Sequence, residues 1–155
     1  MVLAILTVAI IGTVAAMGTV ARQNQSSIET AVATQWIRAK LEEMRAHPYE
    51  TLWESYTTGG TPGPTFTVSG LNPPAAGVPH GTVVFLGEPA VTQQWGAEVD
   101  LNDDGSTSSP PPASAAEAEA WSALPVLVRV RWSDHAGENT RLVELISIIY
   151  DPNQD

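Results

Sequence analysis

Asp100-Leu101-Asn102-Asp103-Asp104-Gly105 is the run of this chain whose residue types and spacing best suit a chemical task. Asp100, Asn102 and Asp104 place side-chain oxygens on alternate residues, so all three can converge on one hard cation. Gly105 permits the sharp turn that wraps the backbone around it. Calcium is the cation such oxygens suit. A full EF-hand loop would supply a bidentate glutamate at the twelfth position, but Pro111 stands there. Glu98, Glu117 and Glu119 are the carboxylates that could complete the set from elsewhere in the fold. The competing reading of the same residues is an acidic, Asx-rich turn that binds nothing.

Little else suggests catalysis. His47, His80 and His135 are scattered, each beside turn residues. Asp134 and His135 are adjacent, which aims their side chains apart if they extend a strand, so they do not make a dyad. No H-E-x-x-H, G-x-S-x-G or phosphate-binding glycine loop occurs, and the absence of cysteine excludes disulfides, thiolate metal sites and cysteine nucleophiles. The expectation is a protein that is not an enzyme. Trp36, Trp53, Trp95, Trp121 and Trp132 are expected in the core or in subunit contacts. The formal charge is −10, and no Lys or Arg lies between Arg45 and Arg129. That surface repels phosphate backbones, so nucleic acid is not expected as a partner.

The elements that must position these residues begin with Met1–Ala21, which carries no charge and no proline. Its three threonine hydroxyls can bond back to helix carbonyls, and as one helix it would be about 30 Å long, the thickness of a bilayer's hydrocarbon core. It belongs in a membrane or in the dry centre of an assembly of like helices. A cleaved signal peptide would carry a basic start, and no Lys or Arg precedes Arg22. Ile5, Ile10, Gly12, Ala16 and Gly18 are the residues expected to make the helix contacts, the small ones letting neighbours approach closely.

After Arg22 the chain turns amphipathic and meets no breaker until Pro48. Ile28, Val32, Trp36 and Ala39 form one apolar row and Ala33, Ile37, Leu41 and Met44 the next, together one broad apolar face. Tyr49–Trp53 adds a short helical turn. Strands are expected at Thr65–Ser69, Thr82–Leu86, Gln93–Asp100, Pro125–Trp132 and Thr140–Tyr150, with Ser133–Glu138 as the turn of a final hairpin. Ser106–Ala120, with its Ser/Thr run and three prolines, reads as an exposed flexible insertion holding a helical turn near Ala115–Trp121. The fold class is therefore α+β. Residues 1–21 form the apolar helix and residues 22–155 a globular domain, with an amphipathic helix half at 22–47 and a sheet within 65–150 interrupted by 106–120.

An uncharged N-terminal helix leading into the KLEEMRAHPY run, Lys40–Tyr49, and a late hairpin reading Val128-Arg129-Val130-Arg131-Trp132-Ser133-Asp134-His135, resembles the type IV pilin and pseudopilin superfamily, most of all its minor pilins and minor pseudopilins. The likeness covers the helix and the last hairpin and hardly touches the middle. It implies a structural subunit of a pilus or secretion pseudopilus. Such a subunit is held in the inner membrane and then stacked, with copies of itself or other pilin-like subunits, into an extracytoplasmic filament with the helices at its core. Some pseudopilins hold calcium in a C-terminal loop. Family members carry a basic leader, a cleavage site and a glutamate just before the apolar run. None of these lies in this sequence, and Met1 aligns immediately after that glutamate, which leaves leader processing and N-terminal methylation open. The alternative from a different class is a monomeric, membrane-anchored extracytoplasmic binding module.

Overall fold

A computed structural model of the chain describes residues 2–134, 137 and 139–152, with side chains from residue 16 onward. It is α+β. A single helix, α1 (Val2–Ala46), is followed by α2 (Tyr49–Tyr56), strands β1 (Thr65–Phe66) and β2 (Gly81–Phe85), helices α3 (Glu88–Trp95) and α4 (Ala115–Glu119), and strands β3 (Ala123–Ser133) and β4 (Thr140–Tyr150). The four strands form one antiparallel sheet in sequence order, β1-β2-β3-β4.

The sheet's inner face is set by alternation along β3. Leu124, Val126, Val128, Val130 and Trp132 are all buried, flanked by Val83 and Phe85 of β2. Against them lie Ala33, Ile37, Leu41 and Met44 of α1, at the three- and four-residue spacing that aligns side chains on one helix face. The buried face is narrower than the sequence suggests. Ile28 and Trp36 of the other predicted row are 51% and 37% exposed, Ala39 is exposed too, and Val32 is half-buried. The reason is geometric: a sheet covers only the side of a helix that faces it.

At roughly 1.5 Å per residue, a helix of 45 residues is about 68 Å long, whereas an eleven-residue strand spans about 36 Å. Close to half of α1 has no sheet to lie on. From Ala16 to Gln25 every residue is exposed. The first clamp is Glu29, a buried carboxylate that accepts Trp132 Nε1–H at 3.0 Å and Gln25 Nε2–H at 3.3 Å. Among the described residues, no helix is long and apolar enough to cross a membrane.

At its other end α1 stops where Pro48 removes a backbone donor, and His47 N–H bonds Met44 O instead. Arg45 Nη2 reaches Ser147 of β4 and Tyr49 Oη–H donates to Trp121 O, so one side of this corner is tied to β4 and the other to the segment that leads into β3. Nearby, Lys40 lies within cation–π range of Phe66, whose ring covers Gly81 across the β1–β2 pair, where a Cβ would run into it.

Two expectations need correction. Gln93–Asp100 is not a strand: Gln93–Trp95 closes α3, and residues 97–100 are irregular. Pro89 in the first turn and Gly96 in the left-handed conformation, its N–H bonding Thr92 O, start and stop a helix there. These local signals override the strand-like alternation. Ser106–Ala120 is not a wholly exposed insertion either. Pro112 and Ala118 within it, and Trp121 just after it, are buried, and a Cβ on Gly87 would strike the backbone of Ser109–Pro111. The predicted helical turn is present as α4, capped by Ser114 Oγ accepting Glu117 N–H.

Burial raises the Glu43 carboxyl, but hydrogen bonds from Lys40 and Tyr56, with the nearby Lys40 and His47 charges, outweigh it and hold the group below its ordinary 4.5. A depressed folded-state pKa contributes stability above the unfolded value that is lost as pH falls through the folded one. Urea melts from about pH 6 down to about pH 3 should therefore lose less stability in Tyr56→Phe than in the wild type. An equal acid loss in both would contradict that assignment.

Candidate functional site

The structure brings Asp100, Asn102 and Asp104 together in one exposed loop, and hydrogen bonds show what shapes it. Asp100 Oδ2 accepts Gly105 N–H at 2.9 Å. Asp104 accepts from Ser106 N–H at 2.7 Å, Asn102 Nδ2–H at 2.8 Å and Ser109 Oγ–H at 2.9 Å. Those three donors hold the Asp104 carboxyl below the ordinary carboxylate range. Asp103 takes the left-handed conformation at φ 54° and Gly105 follows at φ 81°, which reverses the chain within the run.

Beneath the loop lies a group that no motif pointed to. Glu88, fully buried, accepts Leu101 N–H at 2.7 Å with Oε1 and Ser109 N–H at 2.9 Å with Oε2. Its own N–H donates to Ser109 O. One carboxylate thus fastens both ends of the acidic loop to the start of α3, while Leu101 O accepts from Ser122 N–H and Oγ–H at the entry to β3. The sequence offered Glu88 only as the middle of a Gly-Glu-Pro turn. Its role depends on loop residues 13 and 21 positions further along the chain.

For a cation the fit is partial. Asp100 Oδ1 and Asn102 Oδ1 are shielded from solvent and accept no hydrogen bond among the described residues. They are the oxygens a cation would use first, whereas Asp104 would have to release the donors it already holds. Among the described residues, no group of three or more His, Asp or Glu side chains is placed to hold a metal. Glu98, Glu117 and Glu119 are exposed, and Glu117 accepts Ala113 N–H within α4's own cap.

The histidines are held apart. His80 is buried, with Nδ1 accepting Val68 N–H and Nε2 facing Leu71 O, the pattern of a core histidine bracing a loop. His47 stacks edge-on against Tyr56. His135 lies outside the described residues. Tyr49 and Tyr56 are both pushed well above the ordinary phenol range by burial, with Asp151 and Glu43 respectively adding to it.

Of the residues assigned to helix assembly, Ile5, Ile10 and Gly12 fall where side chains are outside the described residues. Ala16 is exposed, and a Cβ added at Gly18 would meet open space. Met17 and Val20 beside them are 67% and 64% exposed.

Replacing Glu88 by Ala leaves the buried Leu101 N–H and the half-buried Ser109 N–H without an acceptor, at about 1–3 kcal/mol for each buried orphan. Denaturant melts should register at least about 2 kcal/mol of lost stability, and hydrogen exchange should quicken at Leu101. Unchanged exchange there would contradict the fastening role. For calcium, mass action predicts a higher melting temperature in millimolar calcium, abolished by Asp104→Ala without unfolding the calcium-free protein. A flat calorimetric titration would leave the loop as a turn alone. Set against protein-family models, curated proteins and solved structures, the chain finds no match.

Proposed function

We propose that this chain is a structural subunit of a pilin-like extracytoplasmic filament, pilus or secretion pseudopilus, assembling through its N-terminal helix. The observation that supports this most is the mismatch of α1 with its own sheet. One helix runs from Val2 to Ala46, its residues 16–25 are all exposed, and Met17 and Val20 stand exposed among them, N-terminal to the Glu29 clamp. Apolar side chains in water forfeit about 25 cal/mol per Å² that burial would return. Copies of the same helix can supply that burial, with Gly12, Ala16 and Gly18 permitting close approach. Such an arrangement places the sheet domain outward, with the acidic loop on its surface. Before assembly the helix rests in the inner membrane, and the domain after Arg22 lies on the extracytoplasmic side. The partners are copies of this chain or related subunits.

The test is a charge in the helix. Ile10→Lys would bury an ammonium among apolar helices at a cost of several kcal/mol even after relaxation. Negative-stain images should show rods or tubes of wild-type protein and none of Ile10→Lys, with the domain equally folded in both. Wild-type protein found only as detergent-solubilised monomers would favour an anchored monomeric binding module instead, and normal polymerisation of Ile10→Lys would sink the filament reading. Protease added to outer-membrane-permeabilised cells should digest the domain, and full protection would overturn the proposed side of the membrane.

A further inference from the structure

β4 is one of the two edge strands of the sheet, the other being the two-residue β1, and the hydrogen bonds at its two ends reveal which backbone groups face outward. Asp134 N–H donates to Asn139 O at 2.9 Å and Asp151 N–H to Ser122 O at 3.0 Å. Bonded pairs alternate along an antiparallel ladder, so the odd-numbered residues from Arg141 to Ile149 turn their N–H and C=O toward β3. Leu142, Glu144, Ile146 and Ile148 turn theirs away, and among the described residues no further strand pairs with them.

Proteins usually blunt such an edge with Lys, Pro, a bulge or a very short strand. β4 has none of these: it is eleven residues long, contains no Lys, Pro or Gly, and pairs with β3 in unbroken register. Its side chains are largely apolar. Leu142 is 47% exposed, and Leu145, on the face toward α1, is exposed as well.

We propose that the free edge of β4 pairs antiparallel with β4 of a second copy, across a two-fold axis normal to the sheet. A two-fold in that direction brings even-numbered residues opposite even-numbered ones. Every outward N–H and C=O therefore meets its counterpart, and the inner faces of both sheets stay on the same side. Charge selects the same edge. Two copies carrying −10 each repel over most of their surface, but β4 holds one Arg and one Glu, and Glu144 lies 3.8 Å from Arg129 of its own chain. In the register centred on Leu145, Leu142 stands opposite Ile148 and Glu144 opposite Ile146 of the second copy, with no like charges directly opposed. The two Glu144 side chains are diagonal neighbours, each beside its own Arg129. This contact is separate from assembly through the N-terminal helix.

Because the chain has no cysteine, a single introduced cysteine reports on a homotypic contact without ambiguity. Single cysteines at positions 142 to 148 of the full-length chain, oxidised in detergent, should give one sharp maximum of disulfide-linked dimer. Only the residue on the axis faces its own copy within disulfide reach, and one position off the axis displaces the pair by roughly 7 Å along the strand. The peak should exceed the yield from Thr82→Cys, in the sheet interior, at least about tenfold, and adding Leu142→Lys should remove it. Ile10→Lys should leave the peak in place, so loss of filaments and loss of this contact are read separately. Yields along β4 that are uniformly as low as that of Thr82→Cys would overturn the proposal.

Discussion

Everything in this domain depends on the fit between one row of α1 and one row of β3. Ala33, fully buried at the Glu29 end of that row, presents only a methyl group to the core. Ile37, Leu41 and Met44 continue the row and share one core cluster with Val126, Val128 and Val130. Packing at this density makes the row intolerant of change: truncating Leu41 or Ile37 to Ala would leave a cavity costing roughly 2–5 kcal/mol. The polar ends of the contact are specific as well. Glu29 meets Trp132 at one end, and Arg45 meets Ser147 at the other. Between these two points the helix is fixed. From Gln25 back to Ala16 every residue of it is exposed.

That division gives the acidic middle of the chain a different character from the helix. Its loops are held by buried single residues, Glu88 under the Asp100–Gly105 run and His80 under the turn from Val68 to Leu71. Each one satisfies backbone donors or acceptors that would otherwise be orphaned in the interior. The surface left outside is rich in carboxylates and poor in cations. Such a surface keeps neighbouring domains soluble and apart wherever no apolar contact draws them together.

How far the sequence could be read followed the range of the forces involved. The helix and the final hairpin were legible because their signals are local and repeated. They are an unbroken apolar-to-amphipathic run ending at Pro48, and an alternation through Val126, Val128, Val130 and Trp132 that reappears as the buried row of β3. The region between was misread where two local signals conflicted. Gln93–Asp100 alternates like a strand, but Pro89 and Gly96 punctuate a helix, and punctuation won. Composition made Ser106–Ala120 look wholly solvated, and nothing in it discloses that Glu88 waits to accept Ser109 N–H. Of the candidate loop, the placement of Asp100, Asn102 and Asp104 in one tight turn was visible in their spacing and in Gly105. That Asp104 would turn its oxygens to Asn102, Ser106 and Ser109 was not, because those bonds depend on the left-handed turn at Asp103. The pairing of Glu29 with Trp132 spans 103 residues, and no local pattern encodes it.

The proposed filament requires that the N-terminal half of α1 be buried by other copies of itself. Helical reconstruction of wild-type assemblies from electron micrographs addresses that claim most directly. The expected result is a central bundle of α1 helices along the fibre axis, with residues 2–15 packed against neighbouring chains and the four-stranded sheet outermost. Fibres with the sheet domains at the axis and the first half of α1 projecting into solvent would contradict it.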